Sequence, residues 1–415
     1  VTLFLLYPLF ATAQPCASQL FLQQRLQEQP NLVQQREELE QLTRNWMVEN
    51  KDRLTSRVVV TIPVVVHIVW RSPEENLTDA QIQSQLEVLN RDFRAKNTEI
   101  STVPTIFKPA IADVEIEFCL ARRTPDGRAT TGITRTPTNV TNVATHFTPF
   151  IGEGLRTICY TDFGGQDAWD TKQYLNIWVG KFGANILGQA DFPTIAKPAE
   201  DGIRLDPRAF GTINVNPPYH LGRTLTHEIG HYFNLFHPWG TMDENLTCTN
   251  DDGIADTPRQ SATFRNQCPT HPQLLCGTAS MFMNFMNYTN DACLAMFTKG
   301  QKERMLAALY GSRGGLLSSQ ACQPILTGTT QLFKDKRVQI LGNPTAGQLS
   351  LQASADLQER VDLQLINSQG QIVVQDRWHT STIYTKSVST FSPGIYFLIL
   401  KNDYFYLYEK IVISR

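Results

Sequence analysis

Apolar positions along the chain change their period several times, and each change marks an element. Val58–Trp70 is a continuous run rich in β-branched residues, as a strand buried on both faces requires. Thr78-Asp79-Ala80-Gln81 then reads as a helix start of the capping-box type, and Ile82, Leu86, Leu89 and Phe93 follow at helical spacing. The pattern predicts an amphipathic helix over residues 79–94. Further strands are expected at 113–121, at 174–180 and near 186–192. Residues 238–300 show no regular period, and a helix follows at 298–310, with Thr298 as N-cap and Met305, Leu306 and Leu309 as its apolar positions. From residue 334 the texture becomes short alternating strands: Val338-Gln339-Ile340, Leu349-Ser350-Leu351, Val361–Ile366, Gln371–Val374, Ile395–Leu400 and Tyr406–Ile413. Turn signals such as Gly342-Asn343-Pro344 and Ser392-Pro393-Gly394 separate them, which describes a small β-sandwich.

The ends carry a different pattern. Val1–Phe10 is apolar and closes on Ala11-Thr12-Ala13, the form of a signal-peptide core and cleavage site, so residues 1–13 are expected to be a signal peptide. No other stretch is long and apolar enough to predict a transmembrane helix. Residues 14–57 are Gln-rich with a helical pattern broken at Pro30, an extension ahead of a domain that starts near Val58. A linker is expected over 323–333, ahead of a C-terminal domain at 334–415.

Composition narrows the function classes. With 41% hydrophobic residues among 415 the chain can build cores, and wholesale disorder is excluded. The formal net charge of −2 leaves no basic excess for phosphates, which argues against a nucleic-acid partner. Export turns the eight cysteines into candidate disulfide partners, with Cys248, Cys268, Cys276 and Cys293 clustered in the irregular stretch.

The chemistry lies in Leu225-Thr226-His227-Glu228-Ile229-Gly230-His231-Tyr232-Phe233-Asn234-Leu235-Phe236-His237. On a helix, His227 and His231 stand one turn apart on one face and can grip one zinc ion, with Glu228 beside the first as a general base rather than a ligand. His237 supplies a third ligand if the helix ends and the chain turns back. Asn234 marks that turn, because Asn tolerates left-handed backbone. Thr249–Thr257 offers clustered oxygen donors suited to calcium, among them Asp251, Asp252, Asp256 and Thr257, without EF-hand spacing.

The pattern HExxHxxNxxH resembles the zinc signature of metzincin metallopeptidases, with Asn234 where the usual form has glycine. Together with His-Pro-Trp-Gly at 237–240, Asp256-Thr257-Pro258 and Asn-Tyr-Thr-x-Asp-Ala-Cys at 287–293, residues 58–322 resemble the pappalysin family, in its bacterial cytophagalysin branch. The resemblance implies an α+β catalytic domain, a twisted sheet plus helices over an irregular lower subdomain. It makes Met286 the residue of a Met-turn beneath the metal and gives Tyr288 a role in stabilising the oxyanion. It also implies a preference for Arg on the primed side of the scissile bond, with Asp291 in the pocket that receives it. Calcium dependence and the disulfides Cys248–Cys276 and Cys268–Cys293 come from the same source, and the partners of Cys119, Cys159 and Cys322 stay open. Related precursors use a pro-segment cysteine to block the metal. On that basis residues 14–57 are expected to be an inhibitory pro-segment acting through Cys16 and removed near Arg53 or Arg57.

The C-terminal strands resemble a type IX secretion sorting domain, through Gly342–Gly347, Ile366–Gln371, Pro393–Leu398 and Lys410–Ile413. That resemblance implies a Gram-negative source of Bacteroidota type and the secretion machinery as a partner. The expectation is a monomeric, secreted or cell-surface zinc endopeptidase acting on proteins or peptides, made latent and autoprocessed. Two rivals are a non-catalytic adhesin on a peptidase scaffold and a zinc amidase acting on non-protein substrates. The intact Glu228 and all three histidines argue against the first.

Overall fold

The computed structural model describes residues 16–50, 59–145, 147–148, 155–183, 186–193, 197–240, 246–323, 338–354, 357, 360–402 and 406–414. The expected signal peptide, Arg53, Arg57 and all of the linker but its first residue lie outside them. The chain divides into two compact units, Val1–Gln323 and Pro324–Arg415.

The first unit begins with two helices, α1 (Ser18–Glu28) and α2 (Asn31–Asn50), separated where Pro30 interrupts the helical pattern. Strand β1 (Val60–Trp70) follows and is buried without a break from Ile62 to Val69. It sits inside a mixed sheet of order β2–β1–β6–β8–β7, made with β2 (Ile116–Leu120), β6 (Leu175–Val179), β7 (Gly188–Ala190) and β8 (Ile203–Leu205). β3 (Ile133–Pro137) continues the β2 side of β1, and a two-strand ribbon joins β4 (Phe147–Thr148) to β5 (Leu155–Arg156). β1 pairs in parallel with β2, β3 and β6, and β8 pairs in parallel with β6. Only β7, at the edge, runs antiparallel.

Alternation along β1 sorts its two faces. Ile62, Val64, Val66 and Ile68 join the main core with Ile82, Leu86 and Leu89 of α3 (Asp79–Asp92) and Leu225 and Ile229 of α4 (Arg223–Tyr232). Val65 and Val69 pack on the opposite face, against Tyr174 and Ile158 respectively. Thr78 caps α3 by accepting from Gln81 N, and α5 (Lys299–Tyr310) starts with a full capping box between Thr298 and Gln301. Short strands β9 (Leu274–Leu275) and β10 (Thr278–Ala279) are the regular part of the loops before α5. The strand expected near 186–192 shrinks to three residues. β3 and β8 were not expected, because β3 reads Ile-Thr-Arg-Thr-Pro with no fully buried position and the three residues of β8 are too few to show a period.

Three disulfides form: Cys119–Cys322, Cys248–Cys276 and Cys268–Cys293. The latter two are the pairs the resemblance implies. Cys16 and Cys159 are free and buried. Cys159 lies by the buried cluster of Arg156, Asp191 and Arg204, and burial pushes its thiol up to about 12.

The second unit is a sandwich of two antiparallel sheets. One has the order β11 (Val338–Leu341), β12 (Gln348–Ala353), β15 (Tyr384–Ser387). The other runs β14 (Ile372–His379), β13 (Arg360–Asn367), β16 (Gly394–Lys401), β17 (Tyr406–Ile413). Leu349 and Leu351 from one sheet meet Val361, Leu363, Leu365, Leu398 and Leu400 from the other. β14 runs five residues past the expected Val374, since Trp378 continues the buried alternation. β15 was missed because Tyr384 is its one buried residue. Among the described residues no helix is long and apolar enough to cross a membrane.

Candidate metal centre

Helix α4 is buried along its whole length and ends at Tyr232. Asn234 then adopts φ +73°, and Leu235 N donates to Gly230 O at 2.9 Å, so the chain folds back over the helix end and delivers His237. The three histidine Nε2 atoms lie 3.1 Å from one another. Their opposite nitrogens define the tautomers. Nδ1 of His227 meets Phe285 O at 2.8 Å, and Nδ1 of His231 meets Leu235 O at 2.7 Å. A carbonyl oxygen can only accept, so each Nδ1 carries the proton and each Nε2 presents a lone pair. His237 Nδ1 is bonded to Gln19 Oε1, and Gln19 Nε2 donates to Gly240 O at 2.8 Å, which orients that amide. Three lone pairs facing inward repel one another unless a cation lies between them. Zinc–nitrogen bonds of about 2.0–2.1 Å give a tetrahedral edge of about 3.3 Å, so the donor set fits that ion. Burial, and then the neighbouring histidines, push His231 well below the usual imidazole range, the neutral state a ligand needs.

Cys16 completes the group. Its Sγ and the three histidine donors all lie within 4.8 Å of one another, and all four residues are buried. The segment around Cys16 lies along the free edge of β7: Cys16 forms a parallel bridge with Gly188, and Ala17 N donates to Gly188 O at 3.0 Å. Ser18 Oγ accepts from Ala190 N at 2.7 Å and donates to Glu228 Oε2 at 2.6 Å. Glu228 Oε1 is buried with no hydrogen-bond partner among the described residues. Burial pushes this carboxyl up to about 7, although the Ser18 and Cys16 hydrogen bonds oppose the shift. Gly188 permits the close approach, because a Cβ there would come within 2.7 Å of Glu228 Oε1.

Met286 is fully buried directly beneath α4, where a Cβ on Gly230 would meet its Sδ at 2.4 Å. Tyr288 stands on the histidine cluster, its ring centroid 4.6 Å from that of His237 and 4.9 Å from that of Trp239. Asp291 is buried, with Oδ2 accepting from Leu221 N at 2.8 Å and Arg223 N at 3.3 Å. Burial pushes it up to about 6 against those bonds. It lines one cavity with Cys16, Tyr219, Thr224, His227 and Tyr288, so the structure brings the candidate acid to the metal centre.

Of the expected calcium donors, Asp252 and Thr257 are in contact, but Asp251, Asp252 and Asp256 do not converge within reach of one ion. Asp251 is paired with Arg259 at 2.8 Å. Asp252 takes the Thr257 hydroxyl at 2.7 Å, and Asp256 Oδ2 takes Gly300 N at 3.0 Å. Each of the three carboxylates has a local partner on at least one oxygen. Among the described residues, the one group of at least three His, Cys, Asp or Glu donors within reach of a single ion is the cysteine–histidine cluster. Sequence reasoning also missed Ser18, Gln19, Arg36, Glu40 and Arg304. A local signal existed only for Arg36 and Glu40, spaced one helical turn apart.

A peptidase family M43 model described as Pregnancy-associated plasma protein-A matches residues 159–310, and a Secretion system C-terminal sorting domain model matches residues 339–414. Among solved structures, a Tannerella forsythia promirolysin mutant is 37% identical, with a TM-score of 0.64 and coverage of 73% of this chain and 97% of that one. Tannerella forsythia mature mirolysin in complex with a cleaved peptide is 40% identical, with a TM-score of 0.58 and coverage of 63% and 97%. An extracellular metalloprotease of Arthroderma otae is 26% identical over 263 residues, covering 62% of this chain and 80% of its own length.

Proposed function

The chain belongs to the pappalysin family of metzincin metallopeptidases and carries a type IX secretion sorting domain; as such a secreted or cell-surface metalloendopeptidase, we propose, it uses one zinc ion, prefers Arg on the primed side of the cut and is made as a latent precursor. The observation that carries the reading is the inward convergence of three imidazole lone pairs beside a carboxylate. His227, His231 and His237 would hold the zinc, which when bound supplies Lewis acidity that polarises a peptide carbonyl and acidifies water. Glu228, buried beside the histidine cluster, accepts a proton from the attacking water and returns it to the departing amine. Tyr288, whose ring meets His237 edge-on, donates its hydroxyl to the oxygen on which charge develops.

Latency is supported by the way residues 16–19 fill the centre. Cys16 supplies the fourth donor, Ser18 caps the base, and Gln19 grips His237 from behind. Removal near Arg53 or Arg57 frees all three at once. The Arg preference is supported by Asp291, a buried carboxylate beside the cluster that gains a charge partner when a guanidinium enters. A calcium ion at residues 249–257 is supported by Asp256 Oδ1, which is buried and without a hydrogen-bond partner among the described residues, whereas Asp251 is paired with Arg259. Every proposed donor comes from one chain, so the site works in a monomer.

The test is Glu228→Ala in the processed protein. It is expected to keep one equivalent of zinc and to lose proteolysis by at least ~10²-fold, the lower end of what a general base contributes. Zinc retention with substantial remaining activity would refute the role. Digestion of a mixed peptide library addresses the preference separately, since absence of Arg enrichment after the cut removes Asp291 as its cause.

A further inference from the structure

Helix α2 carries Arg36 and Glu40 one turn apart, and both end on Asn234. Asn234 Nδ2 donates to Glu40 Oε1 at 3.0 Å, and Arg304 NH2 donates to the two Glu40 oxygens at 2.8 and 2.7 Å. Arg36 donates to Asn234 Oδ1 at 2.9 Å and to Pro193 O at 3.1 Å. The Asn234 backbone and the Arg304 guanidinium are held without α2, while the Asn234 side-chain amide bonds to Arg36 and Glu40. Asn234 is fixed by the turn between two candidate metal ligands. Arg304, from α5, donates through Nε to Asn234 O at 2.6 Å and lies 4.9 Å from the Phe236 ring centroid. Asn234, Arg304 and Phe236 are all buried beneath the helix.

The result is a preformed carboxylate receptor with an amide and a guanidinium aimed at one point and an aromatic ring behind them. Glu40 is held below the usual carboxylate range, because burial, which raises it, is outweighed by Arg304 and Arg36. If α2 departs with the pro-segment, Arg304 keeps its bond to Asn234 O and loses its ion pair with Glu40, with Asp252 acting on it at longer range. A guanidinium that has lost its ion-pair partner favours another carboxylate. The pro-segment also traces a route for its replacement, since one polypeptide runs from Cys16 at the metal centre to Glu40 at this receptor.

We propose that Asn234, Arg304 and Phe236 form an exosite of the mature enzyme that binds a glutamate on a helical stretch of a polypeptide substrate, and that Glu40 fills it in the precursor. The proposal rests on the removal of residues 14–57. It predicts that long substrates carrying such a helix are held at two places, so that the exosite lowers KM and leaves kcat alone.

Three synthetic substrates test it on the full chain after activation, with its new N-terminus mapped by mass spectrometry. One is a short cleavable segment containing Arg. The second joins that segment to the sequence of residues 31–50. The third is the second with Glu40→Gln, a change that keeps helix propensity and removes the charge. The glutamate form is expected to show a KM about 10-fold or more below that of the glutamine form, at equal kcat, as loss of a charge-assisted hydrogen bond implies. The short segment sets the baseline. Equal KM values for the two long substrates, with a correctly processed enzyme, overturn the exosite alone. An active form that retains residues 14–57 overturns the removal reading and the exosite with it.

Discussion

Gly230 lies between the two helical histidines, and replacing it with alanine tests how the metal centre is supported. On an ordinary helix the change would stabilise by about 0.8–1.0 kcal/mol, through the lower chain entropy of alanine. Here the new Cβ would stand 2.4 Å from Met286 Sδ, 3.2 Å from its Cε and 3.4 Å from Leu235 Cδ1. Ordinary carbon–sulfur contact needs more than an ångström beyond the first of these, and Met286 is fully buried in the core that also holds Phe285, Ile229 and Phe297. Overpacking of this kind costs about 1–3 kcal/mol. Set against the helix gain, the net is a loss of zero to about 2 kcal/mol. If α4 is the side that yields, it moves relative to Phe285 O, which orients His227. Denaturant unfolding of Gly230→Ala in the Glu228→Ala background measures the stability change without self-digestion. Zinc affinity and kcat/KM are then read with Glu228 present. Adding Met286→Ala should recover part of the loss, since the clash and the cavity offset each other. If Gly230→Ala instead gains about 1 kcal/mol, with zinc affinity and kcat/KM unchanged, the support described for Met286 is wrong.

Two further outcomes follow from other parts of the molecule. Cys16→Ala removes the fourth donor but leaves Ser18 and Gln19 in place, so the precursor should keep its metal, show measurable activity before processing and self-cleave earlier. A mutant as latent and as stable as wild type would remove Cys16 from the switch. His67, buried between Thr134 Oγ1 at 2.8 Å and Asn176 Oδ1 at 3.0 Å, is lowered by burial from 6.5 to about 4. Because the unfolded chain takes up that proton first, stability is complete above pH 6.5 and falls on acidification, by about 3 kcal/mol by pH 4. His67→Asn should flatten that slope in unfolding curves taken between the two pH values, and an unchanged slope would assign it to other groups.

What could be read from the chain follows from how local each determinant is. His227 and His231 are one helical turn apart, so periodicity alone brings them together, and Asn234 signals through its own backbone preference that the helix ends in time for His237. The capping residues Thr78 and Thr298 act within three positions and were equally legible. Ser18 and Glu228 are 210 residues apart and Arg304 and Glu40 are 264 apart, and no period or composition links such pairs. The same limit left Cys119 and Cys322 unassigned across 203 residues. At residues 249–257 composition offers oxygen donors without registering how they pair, and the carboxylates there take a hydroxyl, a guanidinium and a backbone N–H as partners. Asn234 shows both sides of this limit. Glycine would meet its φ of +73° at less steric cost, which is all the local pattern can register. Glycine would offer no amide to Arg36 and Glu40, and that contact supplies a physical reason for asparagine at a position whose backbone alone favours glycine. The turn that delivers the third histidine is thus also the point where the second helix of the precursor takes hold.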